Sequence, residues 1–328
     1  MRHDLPPFVR RSRVPASALL VAALAALAGW TLLGPRLSRR EKGDAGVEGR
    51  AAAAAARMSR AAAFLGEAKA RAGVPRPEGV LEREAGLVGA ELTPLVTTLG
   101  SLEAKRLSTS PRWAGELVRR LHRAGVREGS VVAASFSGSF PGLDLAVVSA
   151  CAELRARLVA VSSVTASTWG ATEPGFTWPE MEARLVAAGV VPRASVAVSV
   201  GGDGDAGGDL PPEARALARR IAVASASALG AELLAPSSLE ESIDRRLDLY
   251  AWHAGGRPVA LYVNCGGNEA SLGRSTSFLR LRNGFLRGMP FDLGAERGVM
   301  ARFAERGVPV LHLLNVRDLA LRWGVGLQ

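Results

Sequence analysis

Ser135, Ser137 and Ser139 stand at two-residue spacing in SFSGSFPGLDL (135–145), with Gly138 and Gly142 beside them. Hydroxyls and glycines that follow a short apolar run (131–134) and precede a helix-like pattern form a strand-to-helix turn. Three readings fit such a turn: a nucleophilic serine, a cradle for an anion, or a tight turn with no chemistry. A nucleophile elbow needs glycine two residues before and two after the serine. Around Ser139 those positions hold Ser137 and Pro141, and around Ser137 they hold Ser135 and Ser139. A serine triad also needs a histidine, and His122 falls in a surface-type helix while His312 falls in a strand pattern. A nucleotide-phosphate loop needs a lysine followed by serine or threonine, which this stretch lacks. The anion cradle survives both tests. Gly138 and Gly142 let backbone amides approach a ligand, Ser137 and Ser139 add hydroxyls, and a helix N-terminus follows.

Three further loops share this composition. SSVTASTWGATEPGF (162–176) offers Ser162, Ser163 and Ser167. GGDGDAGGD (201–209) offers Gly201 and Gly202, and NCGGN (264–268) offers Asn264, Gly266 and Asn268 beside Cys265. Asp203, Asp205 and Asp209 invite a cation, but the twelfth position from Asp203 is Ala214, where a calcium loop needs glutamate. Asp203 and Asp205 stay as candidate ligands in what otherwise reads as a flexible acidic loop; no cofactor motif is present. Lys105, two residues after Glu103, is the lone lysine of the α/β part in a chain whose cations are almost all arginine. Lys105 and Glu103 therefore join Ser137 and Ser139 as candidates for catalysis. Arg274, Arg280, Arg282 and Arg287 lie in a stretch without an acid, around an Asn283-Gly284 hairpin signal. Such a hairpin is either solvated, membrane-facing or a contact for a polyanion.

The elements that position these loops follow a regular cadence from about residue 92. Short apolar strands are expected at 131–134, 158–161, 195–200, 259–263 and 308–314, each followed by a helical pattern. Thr177 with Glu180 and Ser238 with Glu241 have the spacing of capping boxes. The alternation implies an α/β fold: a mainly parallel sheet with helices on both faces, a Rossmann-like three-layer arrangement. Ligands of such sheets bind beyond the carboxyl ends of the strands, which is where the four polar loops fall.

The 328-residue chain is 48% hydrophobic and carries a formal charge of +10. Residues 1–42 hold eight basic and two acidic groups, so most of the excess sits outside the α/β part. The remaining charge is too mild for an electrostatic footprint on nucleic acid. Cys151 and Cys265 are too few for a disulfide framework or a zinc site.

Residues 1–13 read as a basic tail. Residues 14–34 contain no charge, and at 1.5 Å per residue such a helix spans roughly 30 Å, the thickness of a bilayer core. An uncleaved single-pass anchor is expected, with the main domain outside the cytoplasm; a signal peptide cleaved after Ala26-Leu27-Ala28 is the rival reading. Residues 35–91 read as a linker and an Ala-rich helical spacer that holds the 92–328 α/β domain off the membrane.

TPLVTTLGSLEAKRLST, SGSFPGLDLAV, VSSVTASTWGATEPGFTWPEMEARL, SVGGDGDAGGDL, YVNCGGNEAS and GVPVLHLLNVRDLA together resemble the family called poly-gamma-glutamate system protein. The resemblance runs from about residue 92 to the C-terminus. It implies a membrane-anchored accessory of poly-γ-glutamate synthesis or export, with the polymer, its membrane synthase subunits or both as partners. It brings no established catalytic residues. The polymer carries one carboxylate per residue, which suits the Ser/Gly loops and the arginines. A hydrolase or transferase acting on γ-glutamyl or similar acyl bonds is the competing class. A scaffold that touches only the synthase is a third.

Overall fold

The computed structural model describes residues 46–290 and 297–326; the apolar run 14–34 and the basic tail lie outside the described residues. Helix α1 (46–71) leads to β1 (Val96–Thr98), α2 (Leu102–Ser108) and α3 (Arg112–Arg123). Then come β2 (Val131–Phe136), α4 (Pro141–Glu153), β3 (Arg157–Ser163), β4 (Ala166–Ser167) and α5 (Trp178–Ala187). Next are β5 (Ser195–Ser199), α6 (Pro212–Leu229), β6 (Glu232–Leu234), α7 (Leu239–Ala254) and β7 (Val259–Cys265). The chain continues through α8 (Glu269–Leu272), β8 (Gly284–Leu286), α9 (Val299–Glu305), β9 (Val310–Leu313) and α10 (Val316–Trp323).

The seven-stranded sheet runs β6-β5-β3-β2-β7-β9-β8, parallel except for the antiparallel edge strand β8. Strands β1 and β4 form a separate parallel pair. Alternation along the strands sorts the layers. Val131, Ala133, Val159, Val161 and Tyr262 pack with α7 and α9 on one face. Val198 and Val200 pack with α6 on the other, where Phe136 meets Trp178 of α5 edge to face. The fold is therefore α/β, Rossmann-like, with helices on both faces. The sequence marks its ends: Ser238 Oγ accepts from the Glu241 amide at the start of α7, and Gly230 and Gly255 close α6 and α7 in left-handed conformation.

Two expectations about the periphery fail. The Ala-rich helix is not a spacer: Ala51, Ala54, Met58, Ala61, Ala62 and Leu65 are buried, and the compact unit begins at Glu48 rather than at residue 92. Alanine there lets backbones approach closely. An added Cβ on Gly86 would sit 2.1 Å from the Ala62 carbonyl oxygen, and Arg57 pairs with Glu153 of α4 at 2.6 Å. Sandwiched between the sheet and this outer layer, α4 is buried almost throughout, which explains why PGLDLAVVSACAE has no polar stripe. Second, residues 278–288 do not form a hairpin. Strand β8 pairs with β9, and Asn283 Oδ1 accepts from the Leu314 and Asn315 amides, so the expected turn residue ties two segments together. Among the described residues no helix is long and apolar enough to cross a membrane.

The packing of α1 sets a test. Gly86→Ala is expected to lose about 1–3 kcal/mol, because its methyl group overlaps rigid backbone. Gly49→Ala, exposed on α1 with open space around it, should gain up to ~1 kcal/mol from helix propensity. Denaturant melts of the two variants check both signs.

Candidate functional site

The chain steps outward from β2 through β3, β5 and β6, then returns to place β7 on the other side of β2. Helix α4 leaves β2 on one face, while α8 and α9 follow β7 on the other, so the loops after these neighbouring strands diverge. A crevice opens at such a switch point, beyond the carboxyl ends of the strands. It holds a cleft of about 310 Å³. Ser137 and Ser139 come from the loop after β2, and Ser163, Thr165 and Ala166 from the end of β3 and beyond. Gly202, Asp203 and Asp209 come from the loop after β5, and Gly267, Asn268 and Glu269 from the loop after β7. Thr97, Thr98, Leu272, Gly273, Arg274 and Phe278 complete the wall.

Glycines set how closely these loops meet. Gly266 (φ +87°) leaves the space that Ser137 Oγ occupies; an added Cβ would lie 2.1 Å from that oxygen. Gly201 (φ +83°) leaves the space for Thr165 Oγ1, 2.6 Å from where its Cβ would be. The Thr165 hydroxyl is buried and makes no hydrogen bond within the protein. It is an unsatisfied polar group in the cleft wall.

Under the cleft runs a buried polar network. Arg246 and Asp205 are both fully buried, with Arg246 Nη2 2.7 Å from Asp205 Oδ2. Ser199 Oγ donates to Asp205 Oδ1 at 2.8 Å and Ser242 Oγ to Oδ2 at 2.5 Å. The guanidinium also reaches Ser199 Oγ (2.9 Å) and Ser135 Oγ (3.3 Å). Tyr262 donates to Ser135 Oγ (2.9 Å), and Tyr250 to the Ala134 carbonyl (2.7 Å). Burial works against the Arg246 charge, but the Asp205 carboxylate beside it more than offsets that and holds its pKa above the ordinary value. Asp205, a candidate cation ligand from the sequence, thus turns inward as the anchor of the 201–209 loop, in a left-handed conformation (φ +60°).

A second titratable cluster lies on the α4 side. Lys105 is buried, with Nζ donating to the Ser139 carbonyl and, at 2.7 Å, to Ser167 Oγ, and standing 4.3 Å from the Phe140 ring centroid. Burial brings its pKa down to about 7, against the pull of Asp144 and Cys265. Asp144 is fully buried and neither carboxylate oxygen completes a well-formed hydrogen bond. Burial pushes its pKa well above the usual carboxylate range, although the Cys265 thiol, the Gly138 amide and Lys105 favour the anion. Burial, reinforced by Asp144, likewise pushes the Cys265 thiol up. The cysteines are both free.

The sequence candidates divide accordingly. Ser137, Ser139, Ser163, Gly202, Asp203, Asn268 and Arg274 line the cleft. Ser162 does not: its hydroxyl bonds Ser195 Oγ at 2.6 Å inside the sheet. Asn264 bonds the Gly266 carbonyl and His312 Nδ1. Gly142 is a packing glycine, where an added Cβ would lie 2.3 Å from the Ser108 carbonyl oxygen. Ser167 holds Lys105. Glu103 is exposed and pairs with Arg317, so it is no partner for the lysine. Arg274 is bound to Glu269 (2.9 Å) and Asp203 (3.0 Å) and is not free for a polyanion. Arg280, Arg282 and Arg287 are exposed outside the cleft. No histidine lines it, and among the described residues no cluster of three or more His, Cys, Asp or Glu is arranged to hold a metal.

Asp144, Thr165, Arg246 and Glu269 are the contributors that sequence reasoning missed. Asp144 carried a signal, a lone carboxylate inside an apolar helical run. Arg246 carried none, because SIDRRLDLY places it among other charges.

Lys105 makes a pH prediction. Its pKa is depressed in the fold, so between about pH 7 and the ordinary lysine value the unfolded chain binds more protons and stability rises with pH. The stability difference between wild type and Lys105→Met should shift in favour of wild type from pH 7 to pH 10. Denaturation midpoints at several pH values measure it, and a flat difference means an ordinary lysine. Set against protein-family models, curated proteins and solved structures, the chain matches none.

Proposed function

We propose that this chain is an accessory of poly-γ-glutamate synthesis or export, tethered to the membrane by residues 14–34, and that the cleft holds a glutamyl unit of the polymer. One observation carries this reading. Five of the segments on which the family resemblance rests, TPLVTTLG, SGSFPGLDLAV, VSSVTAS, SVGGDGDAGGDL and YVNCGGNEAS, contribute residues to a single cleft. Their hydroxyls, an amide side chain and an unsatisfied threonine suit a ligand that brings its own hydrogen-bonding groups. Nothing in this reading needs a cofactor. Calorimetric titration of the full chain in detergent with poly-γ-glutamate is expected to show binding, weakened about tenfold by Thr165→Val, which removes one hydroxyl at nearly constant shape. Absence of binding to folded wild type ends the reading.

The contact between Lys105 and Ser167 favours a second reading, a hydrolase or transferase of γ-glutamyl or similar acyl bonds. Lys105 with a pKa near 7 is partly neutral at physiological pH and can take the proton of a serine hydroxyl as it attacks a carbonyl. Ser167 itself does not line the cleft, whereas Ser139 does, and Ser139 Oγ accepts from the Ser167 amide at 3.2 Å. Incubation of the polymer with wild type, Ser139→Ala and Ser167→Ala, followed by chain-length analysis, separates the two readings. Shortening by wild type that either variant abolishes supports the enzyme; inert wild type removes it.

A further inference from the structure

The charges of the cleft select among ligands more sharply than its hydroxyls do. Asp203, Asp209 and Glu269 face it and Arg274 is its one cation, so its lining is net negative. Arg274 is already bound by Asp203 and Glu269. Asp209 is exposed in the cleft wall, and its Oδ1 accepts the Asp203 amide at 3.0 Å. Such a rim repels a polyanion and attracts an ammonium group. The serine-bearing part of the wall differs: Ser137 and Ser139 carry hydroxyls, Lys105 Nζ donates to the Ser139 carbonyl behind them, and the buried Thr165 hydroxyl has no partner within the protein. That wall suits a carboxylate.

We propose that the cleft binds a zwitterionic α-amino-acid head group, with the ammonium against Asp203 and Asp209 and the carboxylate against Ser137, Ser139 and Thr165. Joined to the polymer reading above, on which only this clause rests, the ligand is the amino-terminal glutamyl unit of a chain, the one residue that keeps both a free α-amino and an α-carboxylate group. Interior residues carry a carboxylate without the ammonium and are turned away by the rim. Thr165, whose buried hydroxyl has no partner within the protein, is a second lining residue outside the acidic cluster with unmet hydrogen-bonding capacity.

Calorimetry on the full chain tests the assignment with γ-glutamylglutamate, its N-acetyl derivative, alanine and the long polymer. The free dipeptide is expected to bind about tenfold more tightly than the acetylated one, and Asp209→Asn, which keeps the acceptor for the Asp203 amide, should erase that difference. Polymer binding should then saturate in proportion to chain ends. Equal affinity for free and acetylated dipeptide overturns the zwitterion site, and polymer binding in proportion to total residues does the same while leaving the polymer reading standing. Alanine and dipeptide binding alike without any polymer binding keeps the zwitterion site and removes the polymer. Failure of every ligand with folded protein ends both.

Discussion

The buried ion pair between Arg246 and Asp205 is the interaction on which the cleft depends. Removing either charge from water costs several kcal/mol, and the attraction returns it only where the remaining donors and acceptors are met. Here Ser199, Ser242 and Ser135 meet them, so the pair brings together the ends of β2 and β5, the first turns of α7 and the loop that follows β5. The pair constrains more than it stabilises. Asp205 reaches inward only from a left-handed backbone, and the glycines on both sides accommodate the turn that this demands. Once Asp205 is pinned, Asp203 and Asp209 are exposed on the same loop and both line the cleft, with Asp203 paired to Arg274. The acidic rim is thus a consequence of the inward anchor.

On the other face the same problem, buried charge, has a different solution. Arginine does not deprotonate in a protein, so Arg246 requires a permanent counter-ion. Lysine does, and Lys105 lies among groups whose own charges are suppressed: Asp144 and Cys265 are both shifted toward their neutral forms. Proton position in this trio replaces a fixed ion pair. The two clusters flank the switch point, one below the 201–209 loop and one behind the 137–140 loop. The first is an ion pair that ties the 201–209 loop to α7, and the second holds the Ser139 carbonyl through Lys105 Nζ.

The framework was largely legible in the sequence because its signals are local. Apolar runs at 131–134, 158–161 and 259–263 lie within β2, β3 and β7, and Ser238 caps α7 as its spacing requires. The placement of the polar loops at one sheet edge follows from the parallel order alone. What stayed hidden depends on tertiary contact. The alanines of α1 read as a spacer because alanine has high helix propensity in isolation, and only the close approach of Gly86 and Gly115 reveals a packing face. Asn283-Gly284 has a turn's chemistry, yet the asparagine serves the β9 end instead. Ser162 and Ser163 are adjacent in sequence, and pleat direction sends one into the sheet and the other into the cleft. Net charge could not disclose that Arg274 is neutralised, since its partners lie five and seventy-one positions away.

The sign of the cleft bears directly on how a polyanion would meet this domain. Screening confines electrostatic effects to about 8 Å at physiological salt, so distant surface arginines cannot cancel a carboxylate at the point of contact. Arg282 and Arg287 are exposed outside the cleft, and the cleft itself would admit anionic groups only where hydroxyls and amides face them. A ligand that carries its own cation resolves the conflict, because one group satisfies Asp203 and Asp209 while the other satisfies the serine wall. An overall charge of +10 therefore says little about what the cleft accepts; the local arrangement, set by one aspartate turned inward, decides it.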